Sequence, residues 1–97
     1  MKIVKKGFMP DTTPIRIEDW SETYSFYKPA STLTAYPTAE SNLPGTWSPK
    51  RGNSFRLEMQ FDSKKSAERA FDDLISGRTT LADYTAYMRH PEYAKCL

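Results

Sequence analysis

Hydrophobic and polar positions alternate most regularly just past the middle of the chain. Apolar side chains occupy every second position there, at Phe55, Leu57, Met59 and Phe61. The residues between them are polar, a pattern typical of a strand with one buried face. The sequence therefore predicts a β-strand over residues 55–61.

A change of period directly after this strand predicts an amphipathic helix. Its apolar residues recur at intervals of three and four positions, at Ala67, Ala70, Phe71, Leu74 and Ile75. Asp62 or Ser63 can cap the first turn, and Gly77 stands where a left-handed closing residue is favoured. Because a strand followed at once by such a helix can place the helix across its own sheet, we expect the core to lie between the two.

The chain before this strand predicts a β-hairpin and one further strand. Residues 2–9 and residues 15–20 each carry a partial alternation, and Pro10 and Asp11 between them are typical turn residues. Residues 32–36 have the composition of another strand. These segments and the central strand make up the predicted sheet.

A second helix is predicted near the carboxyl terminus. Thr80 and Asp83 have the spacing of a capping box, with Asp in place of the usual Glu, and Pro91 ends the helical pattern. Residues 21–30 are compatible with either a short strand or an ordered loop.

The order of these elements, strands first and helices last, predicts an α+β fold. We expect an antiparallel sheet of three to five strands, followed by two C-terminal helices packed on one face. The 97 residues suffice for a single domain with one core. Phe61, Phe71 and Leu74 are expected to be buried in that core.

A long loop over residues 37–54 interrupts the pattern. It contains three prolines and two glycines and has no periodicity, and loops of this length in small domains usually bind a partner or are disordered. Trp47, Lys50 and Arg51 form an aromatic and cationic cluster within it. Trp47 can anchor a protein partner, stack on a nucleic-acid base or fill a gap in the fold. We predict these three residues as partner-binding and residues 40–53 as the most mobile internal segment.

Composition narrows the class of protein. The net charge of +2 is too small to indicate nucleic-acid binding. No apolar run approaches the roughly 20 residues of a membrane helix. Residues 1–8 are charged without a following apolar block, so we do not expect them to act as a secretory signal. Cys96 is the single cysteine, which excludes an internal disulfide and fits a reducing compartment. We therefore expect a cytoplasmic protein without a membrane segment, and we expect some of its 13% aromatic residues at the surface.

The sequence offers no convincing catalytic or metal-binding set. His90 and Cys96 lack the paired spacing of a zinc site, and the adjacent Asp72 and Asp73 point in different directions on a helix. Four acidic residues near the first hairpin suggest a solvated patch rather than a metal site: Asp11, Glu18, Asp19 and Glu22. We predict no catalytic residue, no metal ligand and no cofactor.

Four short phrases carry a resemblance to other proteins. They lie at residues 9–11 (Met-Pro-Asp), 15–20 (Ile-Arg-Ile-Glu-Asp-Trp), 80–84 (Thr-Leu-Ala-Asp-Tyr) and 91–94 (Pro-Glu-Tyr-Ala). With these phrases the chain resembles small uncharacterised proteins carried by mobile elements and phages of gut Firmicutes. The resemblance implies a setting of conjugation, phage biology, or defence and counter-defence, and it implies no site residues.

Two functions stay open. The favoured hypothesis is a non-enzymatic protein-interaction module of bacterial origin, an accessory or counter-defence protein of a mobile element or phage. The alternative is a small nucleic-acid-binding protein that uses the loop aromatic and cations. An enzyme is not expected, because no set of residues shares out the acid, base and nucleophile roles.

Overall fold

The computed structural model describes residues 1–37 and the backbone of residues 57–89, with side chains to residue 84. These residues form an antiparallel sheet in which every strand pairs with the next one along the chain. The strands are β1 (Lys2–Phe8), β2 (Pro14–Asp19), β3 (Thr32–Ala35), β4 (Leu57–Gln60) and β5 (Met88–Arg89). Four strands span four to seven residues and β5 only two. The predicted α+β class and antiparallel sheet are confirmed.

Helix α1 (Lys64–Ser76) begins and ends as its sequence predicts. Ser63, rather than Asp62, is the N-cap, and its hydroxyl accepts a hydrogen bond from the Ser66 backbone N–H at 3.1 Å. Gly77 ends the helix with φ at 80°, the left-handed conformation that glycine adopts without strain. The residues at the two ends of α1 are therefore types that favour the capping conformations observed there.

The core lies between α1 and one face of the sheet. Its fully buried aliphatic side chains come from four different elements and from the chain after α1: Ile15, Ile17, Leu33, Leu57, Met59, Leu74 and Leu81. Phe61, Phe71 and Leu74 are buried as predicted, with 6%, 4% and 0% of their surface exposed. The helical stripe therefore faces the apolar side of the alternating strands.

The second predicted helix is not confirmed. Leu81–Tyr87 is a 3₁₀ helix with non-helical torsions at Tyr84, and it is followed directly by β5. The start signal is present, since the Asp83 carboxylate accepts a hydrogen bond from the Thr80 backbone N–H at 2.9 Å. The chain then pairs with β4, with Met88 opposite Met59, so sheet hydrogen bonds replace further helical turns. Neither helix of the described residues is long and apolar enough to cross a membrane.

The turn between β1 and β2 holds a strained residue. The Met9 N–H donates to the Thr13 carbonyl and the Thr12 N–H donates to the Met9 carbonyl, both at 2.9 Å. The Asp11 carboxylate accepts from the Thr13 N–H at 3.0 Å, as expected for a turn aspartate. These bonds hold Thr12 at a φ of 71°, a conformation that β-branched residues rarely adopt.

Replacing Thr12 with glycine is expected to stabilise the protein by about 0.5–1 kcal/mol, because the relief of left-handed strain exceeds the extra entropy of glycine in the unfolded chain. Thr12 is exposed, so its side chain contributes little packing. Denaturant unfolding measures the change. Thr12→Ala is the control, since alanine keeps the strain and should leave stability nearly unchanged. An equal gain from both variants would show that the backbone conformation is not the cause.

Candidate functional site

The sheet has a second face, opposite α1, that is polar yet largely buried. We call it the polar face and define it by the side chains that alternate with the core positions: Arg16, Glu18, Thr32, Thr34, Glu58 and Gln60. The register places Glu18 opposite Thr32, and Thr34 between Arg16 and Glu58 on its two neighbouring strands. Glu18, Thr32 and Thr34 are all fully buried.

Glu18 is the centre of the polar face. Its carboxylate accepts hydrogen bonds from Arg16 Nε at 2.7 Å, Trp20 Nε1 at 2.8 Å and Thr34 Oγ1 at 2.8 Å. A carboxylate without solvent contact is stable only when it is paired and hydrogen-bonded in this way. Glu18 therefore links two strands to the segment that follows β2.

The predicted solvated acidic patch is wrong for Glu18. The alternation of β2 puts Ile15 and Ile17 on the core face and consequently Glu18 on the other face, where neighbouring residues bury it. Asp19 also has a local structural role, because its carboxylate accepts from both the backbone N–H and the hydroxyl of Ser21. Of the four acidic residues in this predicted patch, Glu22 alone is exposed.

Four aromatic rings gather between β2 and β3. We call Trp20, Tyr24, Phe26 and Tyr27 the aromatic cluster. Their ring centroids lie 5.9 Å apart for Trp20 and Tyr24, and 4.9 Å apart for Phe26 and Tyr27. Such offset and tilted pairs add attraction beyond the area they bury. The sequence of residues 21–30 is compatible with either a short strand or an ordered loop. The structure shows an ordered loop whose aromatic rings pack against one another.

The inner edge of the aromatic cluster is fixed to the polar face. Trp20 donates its indole N–H to Glu18, and the Tyr27 hydroxyl donates to Glu58 Oε1 at 2.6 Å. The Trp20 carbonyl also accepts backbone hydrogen bonds from two residues of the following turn. The outer edge is open, with Tyr24 45% exposed and Phe26 65% exposed. The cluster therefore presents two aromatic side chains to solvent from a fixed base.

Both acidic and basic side chains lie beside the aromatic cluster. The Asp19 carboxylate accepts hydrogen bonds from the hydroxyl of Ser21 and, with a smaller effect, from the Ser21 backbone N–H. These bonds lower the pKa of the Asp19 carboxyl group, so Asp19 is ionised at neutral pH. The exposed Glu22 adds a second carboxylate. Lys28 follows the cluster and donates its ammonium group to the Asp62 carbonyl at 2.6 Å. The surroundings of the cluster are therefore mixed in charge.

The residues predicted as partner-binding from sequence are not among those described. Trp47, Lys50 and Arg51 lie outside the described residues, as does the segment 40–53 that was predicted to be mobile. Sequence reasoning missed the aromatic cluster as a site. The available signal was its density, four aromatic residues among positions 20–27 in a stretch without strand or helix periodicity.

The described residues hold no group of three or more His, Cys, Asp or Glu side chains placed to bind a metal ion. A recess of about 190 Å³ beside α1 is lined by Asp62, Arg69, Asp73 and Tyr84, among others. Asp73 is engaged there by Arg78, whose guanidinium lies 2.9 Å from its carboxylate. The described residues that line this recess include no paired nucleophile and base that would point to a reaction.

Comparisons of the chain with protein-family models, with curated proteins and with solved structures found no match.

Proposed function

We propose that this protein is a non-enzymatic protein-interaction module and that the aromatic cluster is its contact surface. The observation that carries the proposal is the exposure of Tyr24 and Phe26 on a loop fixed at its base. Large aromatic residues dominate the binding energy of many protein interfaces. A solvent-facing pair of them without a partner leaves apolar surface in water, which binding would remove.

Preorganisation supports a binding role for this loop. Ordering a flexible side chain on binding costs about 0.5–1.5 kcal/mol. In the aromatic cluster, the rings of Tyr24 and Phe26 are already packed against each other at 5.5 Å, and both contact Tyr27. The hydrogen bond from Tyr27 to Glu58 fixes that base. A partner would therefore meet a surface that needs little further ordering.

A protein partner is favoured over nucleic acid at this surface. Stacking platforms for single-stranded nucleic acid combine aromatic rings with a basic groove. Among the described residues beside the rings, the cation of Lys28 is offset by the ionised Asp19 and the exposed Glu22, which would repel phosphates. Affinity for nucleic acid would fall steeply with added salt, whereas an interface built on aromatic packing would be less sensitive.

The biological setting is also part of the proposal. A cytoplasmic accessory or counter-defence role in a mobile element or phage is supported by the resemblance of residues 9–11, 15–20, 80–84 and 91–94. Trp47, Lys50 and Arg51 are retained as a second, proposed contact region. Cofactor-independent binding, with no reaction, is the activity that we propose.

Replacing Phe26 with alanine is expected to weaken partner binding at least about tenfold, as removal of an interface hot spot does. The partner is isolated by affinity pull-down from the host cell, identified by mass spectrometry and purified, and its Kd is measured by calorimetry. Because Phe26 is 65% exposed, its removal should change the melting temperature by only a few degrees.

Lys65→Ala is the control. It removes an exposed side chain that belongs to α1 rather than to the aromatic cluster, so it should leave the Kd unchanged. An unchanged Kd for Phe26→Ala would exclude the aromatic cluster as the contact surface. A purified nucleic acid as the captured partner, with strong salt dependence, would favour the alternative function.

A further inference from the structure

β1 is an edge of the sheet with an unusual composition. Within the described residues it pairs with β2 alone and has no strand on its other side. Its seven residues include three lysines and no acidic residue. Ile3, Val4 and Phe8 are 44%, 42% and 66% exposed, so β1 combines a positive charge with apolar surface.

The outward side of an edge strand carries backbone N–H and C=O groups that can pair with another chain. Lysines on the edge discourage a second copy of this protein from using them. Antiparallel pairing of two β1 strands about Lys6 would place Lys6 against Lys6, and like charges directly opposite each other are destabilising. Lys5 is less available, because its ammonium group is paired with Asp72 at 3.0 Å. Lys6 would also attract an acidic strand.

A like-charge pair lies beside the apolar surface of β1. Lys6 stands opposite Arg16 in the register of β1 and β2. The Arg16 guanidinium lies over the Tyr36 ring, 5.4 Å from its centroid. These side chains, together with Phe8 and Pro14, line a groove of about 490 Å³. A carboxylate placed next to Lys6 would give this lysine a counter-charge, as Glu18 does for Arg16.

We propose that β1 binds an extended acidic peptide segment of a partner protein by strand addition. Lys6 and Phe8 are two residues apart and therefore share one face of the strand. An added strand that carries an acidic and an apolar residue two positions apart would place the acid beside Lys6 and the apolar side chain against Phe8. Backbone hydrogen bonds supply affinity in this mode, and alternate side chains supply specificity. This inference rests on the proposed interaction function, and it adds a further surface and the chemistry of its ligand.

The test uses a capped synthetic peptide in which every second residue is Thr and the positions between are alternately Glu and Leu. A matched control peptide carries Lys in place of each Glu. Both are titrated into the ¹⁵N-labelled full chain. The acidic peptide is expected to shift the amide resonances of β1 and to slow hydrogen exchange there, whereas the basic peptide leaves them unchanged. Lys6→Glu should weaken binding of the acidic peptide by about fivefold, the upper end of the effect of a surface charge pair, because the reversal also adds repulsion.

Lys6→Gln provides a second variant with a smaller loss if charge reversal disturbs the fold. Absence of shifts in β1 would overturn the inference, as would equal binding of the basic peptide. Shifts confined to Tyr24 and Phe26 would overturn it while leaving the aromatic cluster as the contact surface. Concentration-dependent shifts of β1 without peptide would identify a second copy as the occupant instead. Failure of the proposed function is read separately, from the effect of Phe26→Ala on the purified partner.

Discussion

Replacing Glu18 with alanine is expected to lower the free energy of unfolding by about 3 kcal/mol, the lower end of the range for breaking a buried ion pair, since Arg16 is partly exposed. The variant leaves the donors of Trp20 and Thr34 without this acceptor, and Thr34 is fully buried. The loss of these two hydrogen bonds adds to the cost. Thermal unfolding should show a decrease of about 12 °C or more, at about 4–8 °C per kcal/mol for a domain of this size.

Two variants control this experiment. Glu18→Gln keeps an oxygen acceptor of the same reach, so its loss should be clearly smaller than that of alanine. Glu22→Ala removes an exposed glutamate nearby and should change stability by no more than about 0.5 kcal/mol. A loss below about 1 kcal/mol for Glu18→Ala would show that the polar face does not depend on this carboxylate.

Truncating Phe71 to alanine is expected to cost about 3–5 kcal/mol, the usual range for a buried phenylalanine. Phe71 is 4% exposed on the inner side of α1, and the Lys5 ammonium group lies 4.9 Å from its ring centroid. A cavity would therefore open between α1 and β1. Denaturant unfolding monitored by circular dichroism gives the free energy and shows whether the transition stays cooperative.

Phe26→Ala is the matched control for Phe71→Ala, because it deletes the same side chain from a site that is 65% exposed. Its loss of stability should be no more than about 1 kcal/mol. A loss under about 1 kcal/mol for Phe71→Ala itself would mean that the buried face of α1 has been assigned incorrectly.

The elements predicted well from the sequence are those whose hydrophobic pattern spans several periods. The apolar stripe of α1 spans about two turns of its 13 residues, and the two ends of the helix carry distinct signals at Ser63 and Gly77. In β4 the alternation predicted which side chains face the core, since Leu57 and Met59 are fully buried. Local sequence decides such elements because one face of each must meet the core.

Short elements could not be predicted in the same way. β5 has two residues, too few to show an alternation, and the preceding Leu81 and Tyr84 fit the spacing of a helix. Only the position of β4 beside it decides that Met88 pairs as a strand. The hydrogen bond between Thr80 and Asp83 confirms the helix-start signal in the sequence, but pairing of the following residues with β4 ends the helical turn early.

The candidate site depended on tertiary structure even more strongly. The alternation of β2 assigns Glu18 to the face opposite Ile15 and Ile17, yet its burial requires β3 beside it and Trp20 above it. Likewise, the positions of Tyr24 and Phe26 follow from turns rather than from any period. A sequence pattern indicates which residues belong to one strand or helix, whereas this site is formed by residues from several elements.

The order of strands in the sheet also bears on how the chain folds. Consecutive strands are always neighbours, so the β1–β2 pair closes over a short turn and forms from contacts that are local in sequence. The β4–β5 pair is different, because α1 and the 3₁₀ helix lie between its two strands. The entropy of closing that longer loop must be met before β5 gains its few hydrogen bonds. We therefore expect the amino-terminal hairpin to form early in folding and β5 to join the sheet last.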